Sequence, residues 1–210
     1  MNKHNFKKYT ILFLIIFLIF NFVYFISDSY QKKEEITTTI TNLNTAWHEK
    51  DFDTLKDISK NDSRIYQFQT GFENNKIIKE ELDKHIYENT EIKINKISSK
   101  YHNKKTTGKA KVVVTTYNNL EVLDICIKTL VNQENQINYN YNHKDWIQKN
   151  SNLLKDKMTK IEKSYSKIVL VNLVYNSELN KWEIPFENNY DFYNILSGNM
   201  IELNQKLKSI

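Results

Sequence analysis

The sequence predicts an α+β protein: an N-terminal transmembrane helix followed by helices packed on an antiparallel sheet. Three observations predict it. Residues Thr10 to Ile26 are apolar and free of charge, long enough at about 1.5 Å per residue to span a hydrocarbon core. Apolar residues then recur at helical spacing through the next part of the chain, and later segments alternate apolar with polar as half-buried strands do.

The first segment decides the topology. Lys3, Lys7 and Lys8 precede it with no acid among them, whereas Lys32 and Lys33 behind it are balanced by Glu34 and Glu35. The excess of Lys on the N-terminal side predicts a cytoplasmic tail at 1–9, a transmembrane anchor at 10–27 and a linker at 28–34. An exported domain at 35–210 follows. A cleaved signal peptide would need a shorter apolar stretch ending in small residues, and Ser27-Asp28-Ser29 is a poor site for it. No cysteine stands near the end of the run, which excludes a lipoprotein.

After the anchor, about 180 residues suffice for one domain with its own core. Mean hydropathy over the whole chain is −0.61 despite the anchor, so the remainder is polar. The net charge of +5 is modest and spread along the chain, and Arg64 is the only arginine. That pattern argues against a nucleic-acid partner. Cys126 is the only cysteine, so no internal disulfide forms, and its apolar neighbours Leu123, Ile125 and Ile127 suggest an inert thiol in a strand. No CxxC, HExxH or other ligand spacing occurs, and no metal or cofactor site is expected.

In chain order, Ile36, Ile40, Leu43 and Trp47 form one face of a helix that ends near His48-Glu49-Lys50. Asp51 then reads as the N-cap of a short second helix running to about Ile58. Ile78, Leu82 and Ile86 give a third helix from Asn74 to about Tyr87. Glu91 to Ile97 alternates as a strand, and Tyr101 to Gly108 reads as a polar turn into a second strand, Lys109 to Tyr117, closing a hairpin. Leu120 to Val131 reads as a further strand, with the start of a helix as the alternative, and Asn132 to Asn142 as a turn. A charged helix at 143–163 follows, with a narrow apolar stripe. Ser166 to Tyr175 is apolar without alternation, which predicts a central strand. Lys181 to Phe186 returns as the last strand, which Pro185 terminates. A C-terminal helix shows Phe192, Ile195, Leu196, Met200 and Leu203 on one face, with Gly198 as its weak point.

Leu43-Asn-Thr-Ala-Trp-His-Glu-Lys-Asp-Phe-Asp-Thr-Leu55 and Asn180-Lys-Trp-Glu-Ile184, in this order of elements, resemble the nuclear-transport-factor-2-like superfamily. The resemblance covers most of residues 35 to 187 and implies a cone-shaped α+β fold, with a curved sheet wrapped around a long helix. The helix at 143–163 departs from the minimal pattern and reads as an insertion. Independently of the resemblance, Trp47 and Phe52 bracket the break between the first two helices, and Trp182 shares a strand face with Ile184.

Relatives with this fold include isomerases and dehydratases that use an Asp or His at the mouth of the cone. The candidates here are Asp124 and His85, with Tyr66 or Tyr117 as donors, but none falls in a family motif. Asp124 reads as an outward strand residue and His85 as a surface helix residue. Lys100, Lys104, Lys105, Lys109 and Lys111 cluster in and beside the hairpin turn and form the candidate contact with an anionic surface; the plainer reading is a solubilised edge.

The reading that follows is a single-pass membrane protein, N-terminus in the cytoplasm. Its extracytoplasmic domain would be an interaction or assembly module of the bacterial cell envelope. Short tail, single span and one such domain together look like the scaffold subunits of type IV secretion and conjugation machines. Expected partners are membrane lipid, through the anchor, and other envelope proteins or a second copy. The alternatives are a surface protein that binds a small ligand in the cone pocket, and an isomerase or hydrolase; fold alone does not choose among them.

Overall fold

The computed structural model describes residues 3–68, 76–102, 105–119, 151–160 and 164–202. Over these the chain is α+β, with a long apolar helix at the N-terminus and a curved four-stranded antiparallel sheet in the order β1-β2-β3-β4. Helix α1 runs from Lys3 to Glu49 without a break. Residues 28–34, read as a linker, simply continue it. It is the one helix among the described residues that is long and apolar enough to cross a membrane.

The two halves of α1 meet different surroundings. Phe13 to Phe20 and Val23, Tyr24 and Ile26 are all exposed, whereas Ile36, Ile40, Leu43, Ala46 and Trp47 are buried in the core. Between the halves lies Ile36-Thr-Thr-Thr-Ile40-Thr41, a β-branched run that disfavours helix by propensity. The hydroxyls of Thr37, Thr38 and Thr39 donate to the carbonyls of Lys33, Glu34 and Glu35 at 2.8, 3.0 and 3.0 Å, which turns the polar part of that run back onto the helix itself.

Lys50, in the left-handed region at φ 58°, ends α1, and helix α2 (Phe52–Ile58) starts at once. The expected cap is present: the Thr54 amide donates to Asp51 Oδ1 at 3.1 Å. A 3-10 turn, Ser63–Phe68, precedes helix α3 (Lys76–Asp83), which widens into a π-helical turn over Lys84–Glu88. The indole of Trp47 donates to the Ile86 carbonyl at 2.8 Å, joining the end of α1 to this turn just before the sheet begins.

Strands β1 (Glu91–His102) and β2 (Lys105–Tyr117) form the expected hairpin, but a longer one. The expected turn at Tyr101 to Gly108 is narrower, since the strands stay paired as far as His102 opposite Lys105. Gly108 therefore marks a crossing of strand and helix rather than a turn. A Cβ there would lie 2.7 Å from Ile36 Cδ1 and 3.1 Å from Trp182 Cζ3, so only hydrogen lets β2 pass so close to α1.

Helix α4 (Ser151–Thr159) packs against α3 and is the described part of the helix expected at 143–163. The strand expected at 120–131, the turn at 132–142 and Cys126 lie outside the described residues. Strand β3 (Ser164–Asn176) pairs with β2 along its length, while β4 (Lys181–Glu183) covers only its last three residues. The expected central strand is found, since β3 lies between β2 and β4 in the sheet. Val169, Val171 and Leu173 are buried, but Ile168 and Leu170 are 62% and 48% exposed on the opposite face.

Beyond β4 the Ile184 amide donates to the Ile58 carbonyl at 2.8 Å, and Pro185 ends the pairing as expected. Asn189 then stands in for a strand. It accepts from the Asn172 amide at 2.7 Å and donates to the Asn172 carbonyl at 2.8 Å, closing the β3 edge just past β4. Helix α5 (Tyr190–Leu196) ends where Gly198 and Asn199 both take φ 64°, so the expected C-terminal helix is interrupted at its weak point.

Candidate functional site

Strand β1 contains a bulge between Ile94 and Lys96. In an unbroken strand, Lys93 and Lys96 would point to opposite faces. The extra residue, Asn95, resets the alternation, so Ile92, Ile94 and Ile97 all pack on the core while Lys93 and Lys96 are both exposed. Lys96 stands directly opposite Lys111 across the hairpin, and Ser98 opposite Lys109. Lys100, opposite Thr107, completes a column of five exposed lysines on the outer face of β1 and β2. Glu91, at the far end, is the only acid among the outward positions of that pair of strands.

Of the lysines anticipated from sequence, Lys100, Lys109 and Lys111 are thus brought onto one face. Lys105 opens β2, and Lys104 lies outside the described residues. Lys93 and Lys96 were missed because their spacing makes sense only with the bulge. None of the five exposed lysines has an ion-pair partner among the described residues. Like charges directly opposite, as at Lys96 and Lys111, destabilise a sheet, so the column is an electrostatic cost unless an anion meets it. Beside it on β3, Ile168 and Leu170 add exposed apolar surface to the same face.

The acid-base candidates assemble differently from expectation. His85 is not a surface residue: it is 5% exposed and stacks on Tyr117, the rings 4.2 Å apart and 12° from parallel. Its Nδ1 lies 3.2 Å from Asn119 Oδ1, which can only accept, so Nδ1 holds the proton. Burial pulls the His85 pKa below its ordinary value, with the Asn119 contact opposing. Asn119 continues the chain of contacts, its amide donating to the Gly198 carbonyl at 2.9 Å and its side chain to the Ser197 carbonyl at 3.4 Å. This network staples the end of β2 to the break after α5. Tyr66 turns elsewhere and donates to Asp53 on α2, and Asp124 lies outside the described residues.

Aromatic side chains pack together in the core between α1, α2 and the turn before β1. Trp47 packs edge-on to Phe68 and tilted against Tyr87, and Phe52 meets Tyr87 edge-on. A polar surface groove of about 360 Å³ runs between α1, α2 and β4, lined in part by Asn42, Glu49, Asp57 and Lys181. Among the described residues no group of three His, Cys, Asp or Glu side chains could hold a metal. The chain matches no protein-family model, no curated protein sequence and no solved structure.

Proposed function

We propose that this chain is a single-pass membrane protein with a cytoplasmic N-terminus, whose domain at 35–210 works outside the cytoplasm as an interaction or assembly module of the bacterial cell envelope. The observation that carries the reading is the continuity of α1, which passes from an exposed apolar stretch into the domain core with no break. A helix of that kind holds the domain at a set height over the bilayer, which suits a scaffold part more than a freely diffusing enzyme. The helices packed on a curved antiparallel sheet support the nuclear-transport-factor-2-like reading of the fold. The exposed face with Ile168, Leu170 and the lysine column supports a docking role, finer versions of which include a subunit of a secretion or conjugation scaffold.

The test is in-cell crosslinking of the full-length anchored protein, followed by mass spectrometry. Reproducible capture of other envelope or secretion components is the expected result. Capture of nothing, or of this chain alone, overturns the scaffold reading.

A further inference from the structure

The bulge at Asn95 sets the spacing of the exposed lysines as well as their side. On the outer face of the sheet they fall in four consecutive rows, marked on β2 by Val113, Lys111, Lys109 and Thr107. Strand β1 adds Lys93 to the first row, Lys96 to the second and Lys100 to the fourth. Neighbouring rows are two residues of β2 apart, about 6.8 Å, so the four extend over about 20 Å. Every row thus carries a lysine that is exposed and has no ion-pair partner among the described residues. No acid, arginine or aromatic residue stands in any of them, on β1, β2 or β3.

A ladder of charges at this interval selects a linear polyanion of the same repeat. In a polyol phosphate chain built on three-carbon units, six bonds separate successive phosphorus atoms. That is twice the three of a peptide residue, or about 6.6–7.2 Å when extended. One phosphodiester can therefore meet each row, and the flexible lysine stems take up the remaining mismatch. Lysine binds a phosphate as a point charge, with no need of the planar fork that Arg presents to carboxylates. Ile168 and Leu170, beside the first two rows on β3, offer apolar surface to the polyol carbons.

Other occupants match the face less well. A second copy would set lysine against lysine. A single-stranded nucleic acid is gripped by stacking its bases on aromatic side chains, and the rows have none. Protein interfaces are anchored by Trp, Tyr and Arg, which are absent here too. The sheet packs on α1 by its opposite face, where Gly108 meets Ile36. With α1 spanning a membrane, the outer face stands upright beside the helix, and no bilayer surface lies across the rows.

We infer that the outer face of β1 and β2 binds an extracytoplasmic polyol phosphate chain, laid along Lys93, Lys96, Lys111, Lys109 and Lys100 with one phosphodiester at each row. The binding face rests on the sheet alone; that the polymer is met outside the cytoplasm rests on the reading of α1 as a membrane span with its N-terminus inside.

The test uses the full-length chain in neutral detergent and a glycerol phosphate oligomer with a fluorophore at one end, binding being followed by anisotropy. Expected is saturable binding whose logarithm falls with the logarithm of salt at a slope of about −3.5, the single-strand value of about −0.7 for each of five contacts. Doubling the salt then weakens binding about tenfold. Lys96→Gln, Lys109→Gln and Lys111→Gln together leave two contacts, and the same doubling should weaken binding only about threefold. Lys33→Gln, Lys60→Gln and Lys160→Gln lower the net charge equally from other exposed surfaces and should leave the slope unchanged. Absence of saturable binding, or equal loss in the two triple variants, overturns the proposal. So does tighter binding of oligothymidylate or of poly-Glu of the same charge, which would mark a nucleic-acid or an acidic-protein face. Compartment is read separately: Ser98→Cys in a Cys126→Ser chain should react with a membrane-impermeant maleimide in intact cells. Labelling only after lysis overturns the extracytoplasmic placement of the polymer, and leaves the binding measured in detergent standing.

Discussion

Gly108→Ala is the sharpest probe of how β2 is fitted to α1. The new methyl carbon would sit 2.7 Å from Ile36 Cδ1, 3.1 Å from Trp182 Cζ3 and 3.4 Å from Leu173 Cβ. Carbon atoms prefer about 3.5–4.0 Å. The three neighbours are 0%, 3% and 1% exposed, so none has open space to move into. Overpacking of this kind costs about 1–3 kcal/mol. Loss of backbone freedom in the unfolded chain returns about 0.4–1 kcal/mol. The net loss is about 1–2 kcal/mol, a fall in Tm of about 2–8 °C for a chain of this size. Ile36→Val deletes the clashing Cδ1 and alone costs about 0.5–1.5 kcal/mol. In the double variant the methyl on residue 108 occupies the vacated space, so the pair should be no less stable than Ile36→Val alone, with a favourable coupling of about 1 kcal/mol. Chemical or thermal unfolding of the four proteins in the same detergent measures the cycle. Strict additivity, or a Gly108→Ala protein more stable than the parent, would refute the packing argument.

Asn189→Ala removes the side chain that closes the β3 edge at Asn172 and should cost about 1–3 kcal/mol; Asn189→Asp keeps the acceptor but sets a buried carboxylate oxygen against the Asn172 and Pro185 carbonyls to which the amide donates, and should lower the denaturant midpoint at least as far. His85 is held neutral by burial, with its folded pKa below the ordinary 6.5, so the unfolded chain takes up that proton first. Its contribution to stability is complete above about pH 6.5 and is lost as the pH falls from there through the folded value; His85→Gln should flatten unfolding free energy against pH in that window, which a denaturation series from pH 7.5 to 5 checks. Asp62, held below its ordinary 3.8 chiefly by its hydrogen bond from Arg64, places a second acid-side loss lower, beginning below about pH 4 and absent from an Asp62→Asn protein.

The parts of this fold that were legible in the sequence are those decided within a few residues. Ile36, Ile40, Leu43 and Trp47 announce a buried helix face by spacing alone. Asp51 caps the helix whose first turn holds Thr54, and Pro185 stops the strand in which it cannot donate. What escaped was decided by contacts across the chain. Gly108 looks like a turn residue until Ile36, 72 positions earlier, is seen against it. The bulge at Asn95 has no local signature, yet it alone puts Lys93 and Lys96 on one side and Ile94 and Ile97 on the other. His85 reads as a surface residue from its own helix, and Tyr117 and Asn119 reach it from across the chain. The apolar run in β3 marks a central strand, but composition says nothing about whether another layer lies over each face, and Ile168 and Leu170 are exposed.

The unbroken helix α1 also acts as a keyed shaft. No Gly or Pro interrupts it from Lys3 to Glu49, so any change of length within residues 28–34 is transmitted to the whole domain as rotation and lift together. One added residue turns the domain by about 100° and raises it by about 1.5 Å. Seven added residues bring it back to within about 20° of its starting azimuth and about 10 Å higher. Height and heading can therefore be dialled separately: a heptad insertion lifts the hairpin tips while the lysine column keeps its bearing, and a single insertion swings the column away while the tips stay almost level.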